Sequence, residues 1–187
     1  SILKNTENPL SLAGDAFIVP SNAGNIRMLK HTAELDTALG QGRLLIGTTQ
    51  AIYRLNVPVT RTDWIAASNA NLPLQTVAQI RFGPVGDRSA VVVNGDLFYQ
   101  TLEPAIRSLT YAIRYFQQWG NVPISRNENR VLRFNDRALL RYSSGIEFQN
   151  RLLQTALPYQ TSVGVAHQGI IPLDFDLISS LEEKLPP

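Results

Sequence analysis

The chain has 187 residues, 44% hydrophobic and 17% charged, with 17 Lys and Arg against 15 Asp and Glu and no cysteine. A chain of this length buries about 70% of the surface its unfolded form exposes. It is too apolar for intrinsic disorder, and without cysteine it has no disulfide, thiolate metal site or cysteine nucleophile. A net charge of +2 does not by itself mark a nucleic-acid binder.

No apolar run approaches the roughly 18 residues needed to cross a bilayer. Ser1 to Leu10 carries Lys4 with no apolar core behind it, so it does not read as a signal peptide. A start at Ser1 and an end at Pro186-Pro187 suggest a segment of a longer protein. Ile26 to Leu39 predicts a helix, with Ile26, Leu29 and Ala33 on one face and Gly40 as its stop. Arg43 to Leu55 predicts a hairpin turning at Gly47. Gly83-Pro84-Val85-Gly86-Asp87 is a turn; it lacks the Lys-Ser/Thr ending of a phosphate-binding loop.

Ala90 to Tyr99 predicts a second hairpin around Asn94-Gly95, a dipeptide that accepts positive φ at both turn positions. Glu103-Pro104 opens either a helix through Ile106, Leu109, Ile113 and Phe116 or a strand, with the second half of Ile106 to Tyr115 read as strand. Ser125-x-x-Glu128 has the capping-box form and predicts a short helix over Arg126 to Arg130. Val131 to Tyr142 predicts a third hairpin turning at Asn135-Asp136. The fold class is therefore mainly β: antiparallel hairpins, few short helices, and a hairpin repeat of roughly 40 to 50 residues, the scale of a propeller blade. A β-sandwich produces hairpins too, so both architectures stand. Evenly spaced prolines at 20, 58, 73, 84, 104, 123, 158 and 172 favour one β-rich domain, or a segment of a larger platform, over two domains on a linker.

The catalytic inventory is thin. His31-x-x-Glu34-x-Asp36 lacks the paired spacing of a zinc site and reads as a solvated polar face. His167 has no nucleophile elbow near it in sequence and reads as a packed or surface imidazole. Asp174 and Asp176 alternate as glycosidase carboxylates do on a strand, with Trp64 and Trp119 as the candidate sugar platforms, but no third group is evident. No cofactor, metal or catalytic residue is assigned.

Charge is unevenly placed. Fourteen of the basic residues are Arg, and the last fourteen positions reverse the sign, with Asp174, Asp176, Glu182 and Glu183 against Lys184. The densest basic stretch is Arg126, Arg130, Arg133, Arg137 and Arg141. On a strand Arg133, Arg137 and Arg141 share one face, near Phe134 and Tyr142, rings on which bases stack. These five are the candidate residues for contact with DNA phosphates or with another subunit. The plainer reading is a charged edge that blocks aggregation. A charged fraction below the roughly 25% of an average domain also suggests that much of the surface faces protein.

Three stretches carry a family resemblance. Gly42 to Leu55 resembles a hairpin of the tail nozzle proteins of short-tailed bacteriophages, an apolar strand followed by an aromatic-containing one. Gly83-Pro84-Val85, then Ala90 to Tyr99, then Ala105 to Tyr111 is similar to the PV turn, apolar hairpin and R-x-L-x-Y strand of that family. Gly145 to Pro158 resembles its N-R-L-x-x-T-x-x-P segment, followed by Leu173-Asp174-Phe175-Asp176 for L-D-F-D. The resemblance spans about residues 42–176. It implies a β-propeller-like platform protein without enzyme activity, in a ring of copies at the end of the portal and tail, where the DNA exit channel is closed. It also implies tail or portal/adaptor partners, possible packaged-DNA contact, and a place in the virion after assembly in the host cytoplasm. The family's proteins are much longer.

Overall fold

A computed structural model describes residues 2–3, 16–17, 19–33, 42–57, 60–66, 75–79, 83–103, 105–110, 123–125 and 128–175. The chain divides into two compact units, residues 1–83 and 84–187. Both are mainly β, built of antiparallel hairpins with a few short helical turns. Among the described residues the strands close into neither a barrel nor a propeller.

In the first unit a two-residue pair, β1 (Ile2–Leu3) and β2 (Ala16–Phe17), precedes a four-stranded meander. Its strands are β3 (Ile26–Ala33), β4 (Gly42–Thr48), β5 (Ala51–Val57) and β6 (Gln75–Gln79), adjacent in chain order. Ile46, Tyr53 and Leu55 pack with Ala23 and Ala51 into the core of this unit. Ile26 to Ala33 is thus a strand, not the expected helix. Pairing with β4 from Ile26↔Thr48 to Ala33↔Gly42 supplies the backbone partners, and tertiary pairing overrides a short helical spacing. The rest of the expected helix, residues 34–39, lies outside the described residues. The β4–β5 hairpin forms as expected, but its turn lies at Thr49-Gln50. Gly47 is buried inside β4 and pairs with Ile52. The buried Thr48 sets the turn: its Oγ accepts from Ala51 N at 3.0 Å and donates to Ala51 O at 3.0 Å.

The second unit holds two three-stranded sheets. The first is β7 (Ala90–Val93), β8 (Asp96–Thr101) and β9 (Ala105–Ser108). The second is β10 (Gly145–Phe148), β11 (Arg151–Thr161) and β12 (Gly164–Asp174). Val93, Phe98 and Ile106 of the first sheet share one core with Leu132 and with Leu152, Ala156, Ile171 and Leu173 of the second. The Phe98 and Phe175 rings meet at 4.6 Å between centroids. The sheets approach closely at Gly145. A Cβ there would lie 2.9 Å from Val91 Cγ2 and 2.6 Å from the Gln154 amide oxygen, so only glycine fits without moving a neighbour.

The Asn94-Gly95 turn forms as read, with φ of 50° and 79°. Glu103-Pro104 opens no helix: β9 takes the first half of the next segment, and a helical turn begins only at Leu109-Thr110. Tyr111 to Tyr115, expected as strand, lies outside the described residues. The third hairpin does not form. Val131 to Tyr142 is a helical turn at Asn129–Leu132, an irregular turn, and a 3₁₀ turn at Leu140–Tyr142. Its backbone amides bond three or four residues back, as in Arg133 N to Asn129 O at 3.0 Å and Tyr142 N to Leu139 O at 3.0 Å. Asn135 does not make a hairpin turn; it is buried, and its Oδ1 accepts from Leu157 N at 2.7 Å.

Candidate functional site

The arginine segment begins where residues 123–125 lie against β9. Ile124 N donates to Ile106 O at 3.0 Å, and Ile106 N donates to Ser125 Oγ at 2.8 Å. Ser125 Oγ thus serves β9 and donates to Asn129 Oδ1 at 2.9 Å. Among the described residues the helix covers Asn129–Leu132; residues 126–127 of the expected helix lie outside them. Leu132 and Leu140, 0% and 1% exposed, pin the segment from below. Together with the Asn135–Leu157 bond they hold a compact, non-repetitive stretch in one arrangement.

On this support Arg130, Arg133, Arg137 and Arg141 are all exposed. They do not line a strand face, because no strand is there; they are spread over the helical turn, the irregular turn and the 3₁₀ turn. Arg130 lies in the helix Asn129–Leu132, Arg133 follows its last residue in helical conformation, and Phe134 continues the turn with its N bonded to Val131 O at 3.1 Å. Phe134 is 81% exposed and Val131 44%. Arg141 lies with its guanidinium carbon 4.8 Å from the centroid of the Tyr142 ring. Among the described residues none of the four arginines forms an ion pair. Arg126 lies outside the described residues.

Of the two carboxylates only Asp174 lies among the described residues. Asp174 ends β12, and its Oδ2 accepts from Arg151 Nε at 2.7 Å across the β11–β12 register. That ion pair gives Asp174 a structural partner. Asp176, Trp119, Glu34 and Asp36 lie outside the described residues, and Trp64 sits in the short helix Arg61–Ala66. His31 is exposed on β3. His167 lies on β12 opposite Pro158, its Nε2 buried without a hydrogen-bond partner among the described residues, and burial holds its pKa below the ordinary value. Among the described residues no three His, Asp or Glu side chains gather as a metal site, and no helix is long and apolar enough to cross a membrane.

Two features escaped the sequence reading. The first is a buried polar layer around β8 and β9. Tyr99, fully buried, is the cross-strand partner of the buried Arg107. Burial pushes the Tyr99 phenol well above its ordinary pKa; the Arg107 charge opposes the rise and Asp96 adds to it. Burial lowers the Arg107 pKa, against the pull of Tyr99 and Glu103; the Glu103 carboxylate lies 3.6 Å away. On the other face of β8 the Gln154 amide donates to Gln100 Oε1 at 3.3 Å, both residues fully buried. Such a layer specifies how strands and sheets align.

The second feature is the outer face of the β10–β12 sheet. The register Ile146↔Leu153↔Pro172 and Thr155↔Ile170 places these residues on the side away from the core. Ile146 and Ile170 are each 63% exposed and Phe148 55%. The period-2 alternation of Leu152, Gln154 and Ala156 with Leu153 and Thr155 was the signal, since it predicts a half-buried strand. No family model, no curated protein and no solved structure matches this chain.

Proposed function

We propose that this chain is a non-enzymatic structural part of a bacteriophage virion, a β-module of the nozzle or portal-proximal assembly of a short tail. In this reading copies of it meet in a ring with other tail or portal/adaptor proteins and close or conduct the DNA exit channel. The observation that carries the reading is the open apolar face formed by Ile146, Phe148 and Ile170. Contiguous exposed apolar residues on a folded sheet mark a surface used for association. The order of the three motifs of the tail nozzle resemblance supplies the rest. The four-stranded meander β3–β6 has the strand number and order of a propeller blade, which supports the reading; the meander β7–β9 has three strands.

Electron microscopy of the native particle, beside the mass of the complete gene product, tests the proposal. A ring of β-rich subunits at a virion vertex is the expected result. A free monomer that hydrolyses glycans and loses that activity on Asp174→Asn would overturn it in favour of a carbohydrate-active tail domain.

A further inference from the structure

The assembly reading leaves the arginine segment without a task. Four arginines stand there against two carboxylates, Glu128 and Asp136, between positions 128 and 142. An arginine placed only for solubility needs no rigid support, yet this stretch is anchored by Leu132, Leu140 and the Asn135–Leu157 bond. Nor does solubility explain a phenyl ring 81% exposed at Phe134, between Arg133 and Arg137 in sequence. A linear polyanion with flat, apolar bases satisfies both: guanidinium forks take phosphate oxygens, and an open ring takes a base face. The bases of a duplex are already stacked on one another, so Phe134 has a use only where bases are unpaired. An acidic protein surface would engage the charges without needing the ring face.

We infer that Arg130, Arg133, Arg137 and Arg141, with Phe134, form a sequence-independent binding site for single-stranded nucleic acid. The phosphates lie along the arginines and an unpaired base stacks on Phe134. The site is independent of the β10–β12 face and of ring formation, so its test stands apart from that of the virion reading.

The experiment is fluorescence anisotropy of the full chain with a labelled oligothymidylate of about twenty nucleotides, a length that exceeds single-strand sites of roughly 4 to 16 nucleotides. Four phosphate contacts predict that raising salt from about 50 to about 200 mM weakens binding by roughly 50-fold. Arg133→Ala with Arg137→Ala is expected to lower the salt slope by about 1.4, while the same pair changed to Lys retains most of the slope. Phe134→Ala is expected to weaken the single strand about tenfold and to leave a duplex of the same length unchanged. Circular dichroism of each variant verifies the fold, and exposed positions are expected to leave it intact. Absence of binding at low salt overturns the inference. So does binding that the Arg pair leaves unaltered, or equal loss of duplex and single strand on Phe134→Ala. Polyglutamate competing as well as the oligonucleotide, charge for charge, overturns it in favour of an acidic protein partner.

Discussion

The two sheets of the second unit solve burial differently. In β7–β9 both faces are buried: Phe98, Gln100 and Ile106 on one, Leu97, Tyr99, Thr101 and Arg107 on the other. In β10–β12 only the face bearing Leu152, Gln154 and Ala156 is closed, while Ile146 and Ile170 stay open on the other. In the sheet covered on both sides polar groups are buried in layers, with Ser108 donating to Asp96 and Arg107 facing Glu103. A sheet covered on one side sorts its residues by parity alone, as β11 does. Apolar character on the closed face holds this fold together, and on the open face it is left exposed.

Substitution on the two faces of β10–β12 tests that division with the largest effect. Leu152, 1% exposed, lies in the common core. Leu152→Ala is expected to lower stability by about 2–5 kcal/mol, whereas Ile146→Ser on the open face is expected to stay within about 0.5 kcal/mol of the parent. Urea unfolding of the three proteins gives both numbers. Equal losses at the two positions would show that the outer face is closed within the monomer.

Asn135 provides the next test, because it joins the arginine segment to the second sheet. Leu157 holds a positive φ of 54° inside β11, a conformation costly for a branched residue, and its amide bonds to Asn135. Pro158 follows, on a part of β11 that has no partner on the β10 side; a strand admits proline there. Asn135→Ala leaves the Leu157 amide without its acceptor and is expected to cost about 1–3 kcal/mol. Because the same bond rigidifies the arginine segment, native-state hydrogen exchange is expected to rise across residues 128–142. A stability loss with no change in that segment would separate the two roles.

These particulars show what was legible. Asn94-Gly95 announced its turn because glycine and asparagine accept positive φ with little strain. Gln149-Asn150 makes the equivalent turn, with φ of 51° and 58°, but glutamine carries no such signal, and β10 went unread. Asn135-Asp136 looked like a turn dipeptide and was diverted, since Asn135 serves a distant amide and Asp136 Oδ1 accepts from Ala138 N at 2.9 Å. The arginines were identified from their density, but their support was not, because it comes from Leu157 and Ile106, distant in sequence. Short elements held by long-range bonds leave little local pattern to read.

The smallest effect is a pH dependence at the end of β11–β12 beyond the common core. Pro158, which faces His167, brings no charge to offset a buried imidazolium. Burial lowers the His167 pKa, so the folded state holds fewer protons there than the unfolded chain. The sign follows from linkage: stability is full above the unfolded value of about 6.5 and declines as pH falls below it. His167→Gln keeps a polar side chain without the titration, so its urea midpoint is expected to change less than the parent's as pH falls through this window. Identical pH profiles for the two proteins would mean that His167 is as well solvated folded as unfolded, and that β11–β12 opens to water at its far end.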